Sequence, residues 1–375
     1  MRLWFWQNIV SPHQSALLQA LARHPDVDEV HLIAAEAMTP ERQRLGWEVP
    51  EMPGVTLTVA PSQEAVAHLA GSSAADVIHI FSGVGGPAPF RTAFDMLARR
   101  GAHLGVMAET AHKNGALSGA LRLIKYRMMA LRYRHRIHFI LAISQLAVQW
   151  YALSGFTRRS IYPFAYFTDP PTATPAVSTT DEVAFLMVGR CDAIKGGEEF
   201  LHALARIAHL PWTTRFIGHG PAEGELKALA TQLGLADRVQ FLGQQPPAVI
   251  AGHMQASDAL ILYNRYSDGW GVVVNEALLA GTPVLCSTLT GAKDVVSLSP
   301  RAWQVLPPRQ SAVLAEALSD RVAAGKVTAA DRHELSRWAK ERVGGDAGAA
   351  YLVNVLQHAL HAAGSRPHAP WLPLD

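Results

Sequence analysis

Short apolar runs alternate with segments of helical period from one end of the chain to the other. In the first half, residues 3–7, 29–35, 55–60, 76–81, 103–108 and 138–143 read as strands bounded by turn residues. Residues 14–23, 63–69, 89–100, 116–134 and 145–153 carry helical spacing between them. A second series places strands at 183–188, 215–218, 239–242, 259–263 and 284–286, again separated by helices. The last helical stretch starts near 329, breaks at Gly344-Gly345 and resumes to 363. Alternation of this kind builds parallel sheets with helices on both faces, an α/β architecture.

Two such series imply two doubly wound, Rossmann-like domains. Pro170, Pro171 and Pro175, set among Thr, Ser and Ala, mark the linker between them. It separates residues 1–168 from residues 176–343. Ligands of such sheets bind beyond the carboxyl ends of the strands, so the expected architecture is two domains facing a central cleft.

Composition narrows the picture. With 49% hydrophobic residues in 375, the chain has ample material for packed cores. Cys191 and Cys286 are too few for a disulfide framework or a cysteine zinc site, and fit a reducing compartment. A net charge of +2 speaks against a nucleic-acid binder. That average hides a partition: residues 1–168 hold 16 Lys/Arg and 11 Asp/Glu, residues 169–375 hold 17 and 20. Between Thr110 and Thr168 there is no acidic residue.

The apolar start of the chain is too short and too interrupted for a signal peptide and reads as a buried first strand. Residues 137–157 carry no formal charge over 21 positions, but His138, Ser144, Gln145, Gln149, Ser154 and Gly155 interrupt them. A strand followed by a helix accounts for this stretch, and no transmembrane helix is expected.

Candidate chemistry concentrates in the second series. In Ser267-Asp268-Gly269-Trp270-Gly271-Val272, followed by Glu276, two glycines leave backbone N–H groups open where a helix starts. Asp268 and Glu276 could accept hydrogen bonds from sugar or ribose hydroxyls. Taken alone, the segment reads rather as a glycine-rich turn with a capping aspartate and a surface glutamate. Gly189-Arg190 and Lys195-Gly196 leave one strand–helix loop, and two cations there suit a diphosphate or form a solvated basic pair. Gly218-His219-Gly220-Pro221 also follows a strand.

In order, Gly189-Arg190…Lys195-Gly196, Gly218-His219-Gly220-Pro221, Phe241-Leu242-Gly243, Asp268…Glu276 and Gly281-Thr282-Pro283-Val284 resemble the motifs of the retaining glycosyltransferases of family 4, within the glycosyl transferases group 1. That resemblance implies the GT-B fold, with a nucleotide-sugar donor on the second domain and the acceptor on the first. It implies that Arg190 and Lys195 neutralise the leaving diphosphate, that Glu276 binds the ribose and that Asp268 contacts the donor sugar. Gly189, Gly218, Gly220, Gly269, Trp270, Gly271 and Val272 would support donor oxygens, while Leu242, Gly243 and Gln244 would line the base pocket. No cofactor or divalent metal is expected, since the cations replace it. The last helix, within 345–375, would cross back onto the first domain.

Three departures from the family pattern stand out. Asp268 replaces the usual Glu, and the first loop lacks paired glycines and offers His13 instead. Glu109 stands where the family places a His, with His112 three residues later. Glu109 and His112 would assist the sugar or the acceptor, or be a loop carboxylate and a surface histidine. The implied function is transfer of a hexose, with retention, to a glycan or lipid-linked saccharide, in bacterial surface polysaccharide or lipopolysaccharide assembly. The competing readings are a nucleotide-sugar epimerase or hydrolase of the same fold and a non-catalytic sugar-binding module.

The basic segment adds a membrane partner. Residues 116–134 carry one apolar stripe at Leu117, Leu121, Ile124, Met128 and Leu131, expected to face the core. A second stripe, Leu123, Tyr126, Ala130 and Tyr133, is expected outside. Arg122, Lys125, Arg127, Arg132 and Arg134 surround it, which suits an anionic membrane surface, so a cytoplasmic protein peripheral to the inner face of the membrane is expected.

Overall fold

Among the described residues every strand pairing is parallel, in two separate sheets. The computed structural model describes all residues except 40–42, 44–46, 111–115, 171–180, 268, 300, 302, 363 and 374–375. The first sheet comprises β1 (Arg2–Ile9), β2 (Glu29–Glu36), β3 (Val55–Val59), β4 (Val77–Ser82), β5 (His103–Ala108), β6 (Phe139–Ile143) and β7 (Ile161–Phe164). Its helices are α1 (Pro12–Arg23), α2 (Gln63–Ser72), α3 (Arg91–Arg100), α4 (Ala116–Tyr133) and α5 (Gln145–Leu153).

The second sheet comprises β8 (Val183–Val188), β9 (Trp212–Ile217), β10 (Val239–Phe241), β11 (Ala259–Leu262), β12 (Val284–Ser287) and β13 (Trp303–Leu306). Around it lie α6 (Gly197–Arg206), α7 (Glu223–Gln232), α8 (Pro247–Gln255), α9 (Val273–Leu279), α10 (Lys293–Ser297) and α11 (Ser311–Ala323), followed by α12 (Ala329–Val343) and α13 (Gly345–His361).

The spatial orders are β3-β2-β1-β4-β5-β6-β7 and β10-β9-β8-β11-β12-β13. In each sheet the chain winds outward from its first strand in both directions. The crevice where the order reverses lies between β1 and β4 in one sheet, and between β8 and β11 in the other, the usual ligand position in such sheets. The central strands are apolar on both faces: Leu3 to Trp6 are all buried, as are Val183 to Met187. His79, inside β4, accepts from the Trp6 indole N–H (3.2 Å), and burial lowers its pKa to about 3, so it is a neutral core histidine.

Two strands escaped the sequence pattern. β7 contains Pro163, which a central strand would not tolerate but an edge position does, since one side of an edge strand needs no N–H donor. β13 is likewise an edge strand.

After Gly344 the chain turns into α13, which lies on α1 and the first sheet. Gly345 sits so close to the Ala16 carbonyl that a side chain there would come within 2.7 Å of it. Tyr351 donates to the Pro163 carbonyl (2.8 Å), and Tyr162 pairs with His358 (2.7 Å). The tail then returns to the second sheet, where the buried Trp371 meets Trp270 edge-on at 5.0 Å.

Helix α4 reverses the expected orientation. Ala130 and Tyr133 are buried, and Leu123, Tyr126 and Met129 pack against the first-sheet core. Leu121, Ile124, Met128 and Leu131 are instead exposed, at 55–70%. Both stripes have helical spacing, so periodicity could not choose between them. The aromatic pair decides: Tyr133 meets Phe94 and Tyr126 meets Trp150 edge-on, anchoring that face inward. No described helix is long and apolar enough to cross a membrane.

Candidate functional site

A cavity of about 560 Å³ opens where the two reversal points face each other. From the first sheet it is lined by the start of α1, including His13, and by Trp47. From the second it is lined by Gly189 and Lys195 of the β8–α6 loop, by Gly271, Val272 and Val273, by Glu276, and by one face of α8.

The β8–α6 loop is shaped to present Lys195. Asp192 accepts from the Ile194 N–H (3.0 Å), and the Lys195 N–H reaches the Asp192 carbonyl (3.2 Å). Gly196 then takes φ +74° ahead of α6, and a side chain there would overlap the Tyr263 carbonyl. Position 196 is therefore restricted to glycine by both backbone and space. The Lys195 stem runs past Gly189 into the cavity. Arg190 departs from it: its side chain is 69% exposed, 3.9 Å from Asp192, and does not line the cavity.

Gly218, Gly220, Leu242, Gly243 and Gln244 do not line the cavity either. They build the support beneath it. The Gly189 N–H donates to Ile217 (3.0 Å), the Cys191 N–H to His219 (3.2 Å) and the Gly218 N–H to Gly243 (2.7 Å), locking three consecutive loops together. Pro247, Ile250, Ala251 and Met254 of α8 form an apolar wall of the cavity, just after Leu242–Gln244, which were expected to line the base pocket. The α8 residues and Trp47 went unnoticed in the sequence; the only signal was an apolar helix face directly after the expected segment.

Asp268 and His112 lie outside the described residues. Around Asp268, Gly269 (φ +65°) and Trp270 brace the loop: Gly291 and Ala292 donate to their carbonyls at 3.0 and 2.9 Å. The Trp270 indole is fully buried and donates to Asn275 (3.0 Å), which donates to the Tyr166 carbonyl (2.7 Å). Trp270 and Asn275 thus tie the second sheet to the segment after β7. The helix begins at Val273.

Glu109, at the end of β5, crosses to this loop. Its carboxylate lies against Gly269 so closely that any side chain at 269 would overlap it. Glu276 faces the cavity with His13 Nδ1 3.7 Å from its carboxylate, and His13 stacks edge-on with Trp47 at 5.1 Å. Burial against the cavity wall pushes the Glu276 carboxyl up to about 7. The arrangement brings a cation, a proton-holding carboxyl and backbone amides together on one side. Glu109, His13 and an aromatic ring approach from the other. Among the described residues no group of three or more His, Cys, Asp or Glu could hold a metal ion.

Residues 174–342 match the family model of the glycosyl transferases group 1. A D-inositol 3-phosphate glycosyltransferase of Segniliparus rotundus is 33% identical over 138 residues, 32% of this chain and 30% of that protein. A phosphatidyl-myo-inositol mannosyltransferase of Mycobacterium leprae is 27% identical over 247 residues, 65% of this chain and 63% of that protein. The alignments thus span less than two thirds of either relative. Anabaena Alr3699/HepE in complex with UDP superposes with a TM-score of 0.69 at 16% identity, covering 95% of this chain and all of that one. The lipopolysaccharide outer core galactosyltransferase WaaB superposes at 0.66 and 16% identity, covering 96% and 99%. The match to the glycosyl transferases group 1 is confined to residues 174–342, and the two sheets of the chain have the GT-B fold of these structures.

Proposed function

We propose that the chain is a glycosyltransferase that moves a hexose from a nucleotide-diphosphate sugar to a glycan or lipid-linked acceptor with retention of configuration. The observation that carries this reading is the convergence of Lys195, Glu276 and the Gly271–Val273 backbone on one cavity faced by His13 and Trp47. Lys195 neutralises charge developing on the leaving diphosphate, the kind of electrostatic stabilisation that dominates such transfers. Glu276 accepts from ribose hydroxyls, which take the place of His13 beside it, and α8 supplies an apolar wall for the base. Glu109 holds its carboxylate at the loop carrying Asp268, within reach of a donor sugar. In this reading Lys195 supplies the positive charge at the diphosphate, and the transfer is metal-independent. The UDP bound by the HepE structure supports a uridine donor.

The stripe Leu121, Ile124, Met128 and Leu131 supports work at an anionic membrane surface, because Lys125 and Arg132 flank it on one side and Arg127 and Arg134 on the other. Such a surface suits a lipid-linked acceptor in polysaccharide or lipopolysaccharide assembly at the cytoplasmic face.

The test is nucleotide release from a panel of UDP-, GDP- and ADP-sugars with lipid-linked acceptors, with the product anomer read by NMR. Release that depends on acceptor and retains the anomeric configuration is expected. Hydrolysis or epimerisation of donor without transfer would overturn the reading.

A further inference from the structure

A second cavity, of about 430 Å³, lies in the first sheet's half, outside the cleft. It is bounded by the loop Gly83-Val84-Gly85-Gly86 beyond β4, by Arg91 and Asp95 of α3, and by α4 from Lys125 to Tyr133. The loop stands beside β5, because the Gly83 N–H donates to the Met107 carbonyl (3.2 Å), two residues before Glu109. The cavity is therefore a neighbour of the proposed reaction centre and separate from it.

Its chemistry is that of an anion site with an apolar margin. Arg91, Lys125 and Arg132 supply three cations. Asp95 is the acidic residue of the lining and is already engaged: Arg132 lies 3.2 Å from its carboxylate and the Tyr133 hydroxyl donates to it at 2.6 Å. Among the described residues no ion pair is formed by Arg91 or Lys125. Met128 belongs both to the cavity lining and to the exposed stripe of α4. A ligand filling the cavity with an anionic group would lead directly onto Leu121, Ile124 and Leu131.

We infer that this cavity takes the phosphate of an anionic membrane phospholipid, whose chains lie along the exposed stripe of α4. Arg91 and Lys125 hold the phosphate, the Asp95–Arg132–Tyr133 group fixes the inner wall, and the apolar stripe enters the bilayer surface. The inference rests on the membrane reading above and adds to it a defined headgroup site, distinct from attraction by diffuse positive charge.

The experiment is flotation of the full chain with phosphatidylcholine vesicles and with equimolar phosphatidylcholine–phosphatidylglycerol vesicles. Three proteins are compared: the wild type, Arg91→Ala/Lys125→Ala, and Arg127→Ala/Arg134→Ala. The two variants lose the same charge, but only the first loses it inside the cavity. Headgroup binding predicts that the first variant loses affinity for the anionic vesicles at least about tenfold more than the second, because charge-assisted hydrogen bonds are lost as well as field. It also predicts that monomeric dihexanoyl phosphatidylglycerol displaces the wild type from vesicles at concentrations where inorganic phosphate does not. Equal losses in the two variants would reduce the cavity to general electrostatics and overturn the inference. Displacement by inorganic phosphate alone would overturn it in favour of a free-phosphate site. A wild type that floats with neither vesicle would refute the membrane reading itself, whereas UDP affinity, measured in the same variants, should stay unchanged throughout.

Discussion

Replacing Glu276 by glutamine should make the protein more stable and worse at binding nucleotide, with both effects set by pH. Burial raises the Glu276 carboxyl from 4.5 to about 7. The folded state therefore holds this proton more tightly than the unfolded chain. The stabilisation that follows is complete below pH 4.5 and is lost as pH rises through 7. Between pH 5 and pH 8 this one group should cost the wild type about 2–3 kcal/mol, a magnitude that follows from about 1.4 kcal/mol per decade in the proton equilibrium. The amide introduced by Glu276→Gln has no proton to lose, so the variant should lack that component of the slope.

The measurement is urea denaturation of both proteins at pH 5 and pH 8, with the pH-dependent loss compared between them. Binding should run the other way. An ionised carboxylate accepting from ribose hydroxyls is worth about 1.5–3 kcal/mol, so Glu276→Gln should weaken UDP binding about 10–100-fold at pH 8. Near pH 5, where Glu276 is neutral in the free protein, the two affinities should converge. Calorimetric titration with UDP at both pH values reads this directly. Parallel stability profiles would refute the partly buried, proton-holding carboxyl. An affinity ratio that ignores pH would refute its contact with the ribose.

Other changes separate chemistry from support. Lys195→Ala should lower turnover about 100–1,000-fold in a nucleotide-release assay while the melting temperature stays close to wild type, since the cation acts on developing charge. Gly269→Ala should drive Glu109 away from its loop as well as strain a backbone at φ +65°. Its activity should fall to the level of Glu109→Ala, and the double variant should be no worse than Gly269→Ala, as tested by a double-mutant cycle. Trp371→Ala empties a fully buried site against Trp270 and should cost about 3–5 kcal/mol in chemical denaturation.

By itself the order of residues determined the α/β class and the strands of both sheets other than β7 and β13. Those features follow from local period and turn chemistry, which act over a few residues. The order of the family motifs also singled out Lys195, Glu276 and Gly269, and Glu109 as a departure from them; taken alone, these residues read as turn, loop or solvated positions. Tertiary structure decided the rest. Arg190 and Lys195 leave the same loop, yet only Lys195 enters the cavity, because the turn centred on Asp192 sends them in different directions. Gly218 and Gly243 turned out to join the loops beside the β8–α6 loop through backbone hydrogen bonds that no spacing reveals. Which stripe of α4 is buried depended on Phe94 and Trp150, residues distant in the chain. β7 was hidden by a proline that only an edge position permits. Local periodicity states that a face is apolar, and packing alone states what covers it.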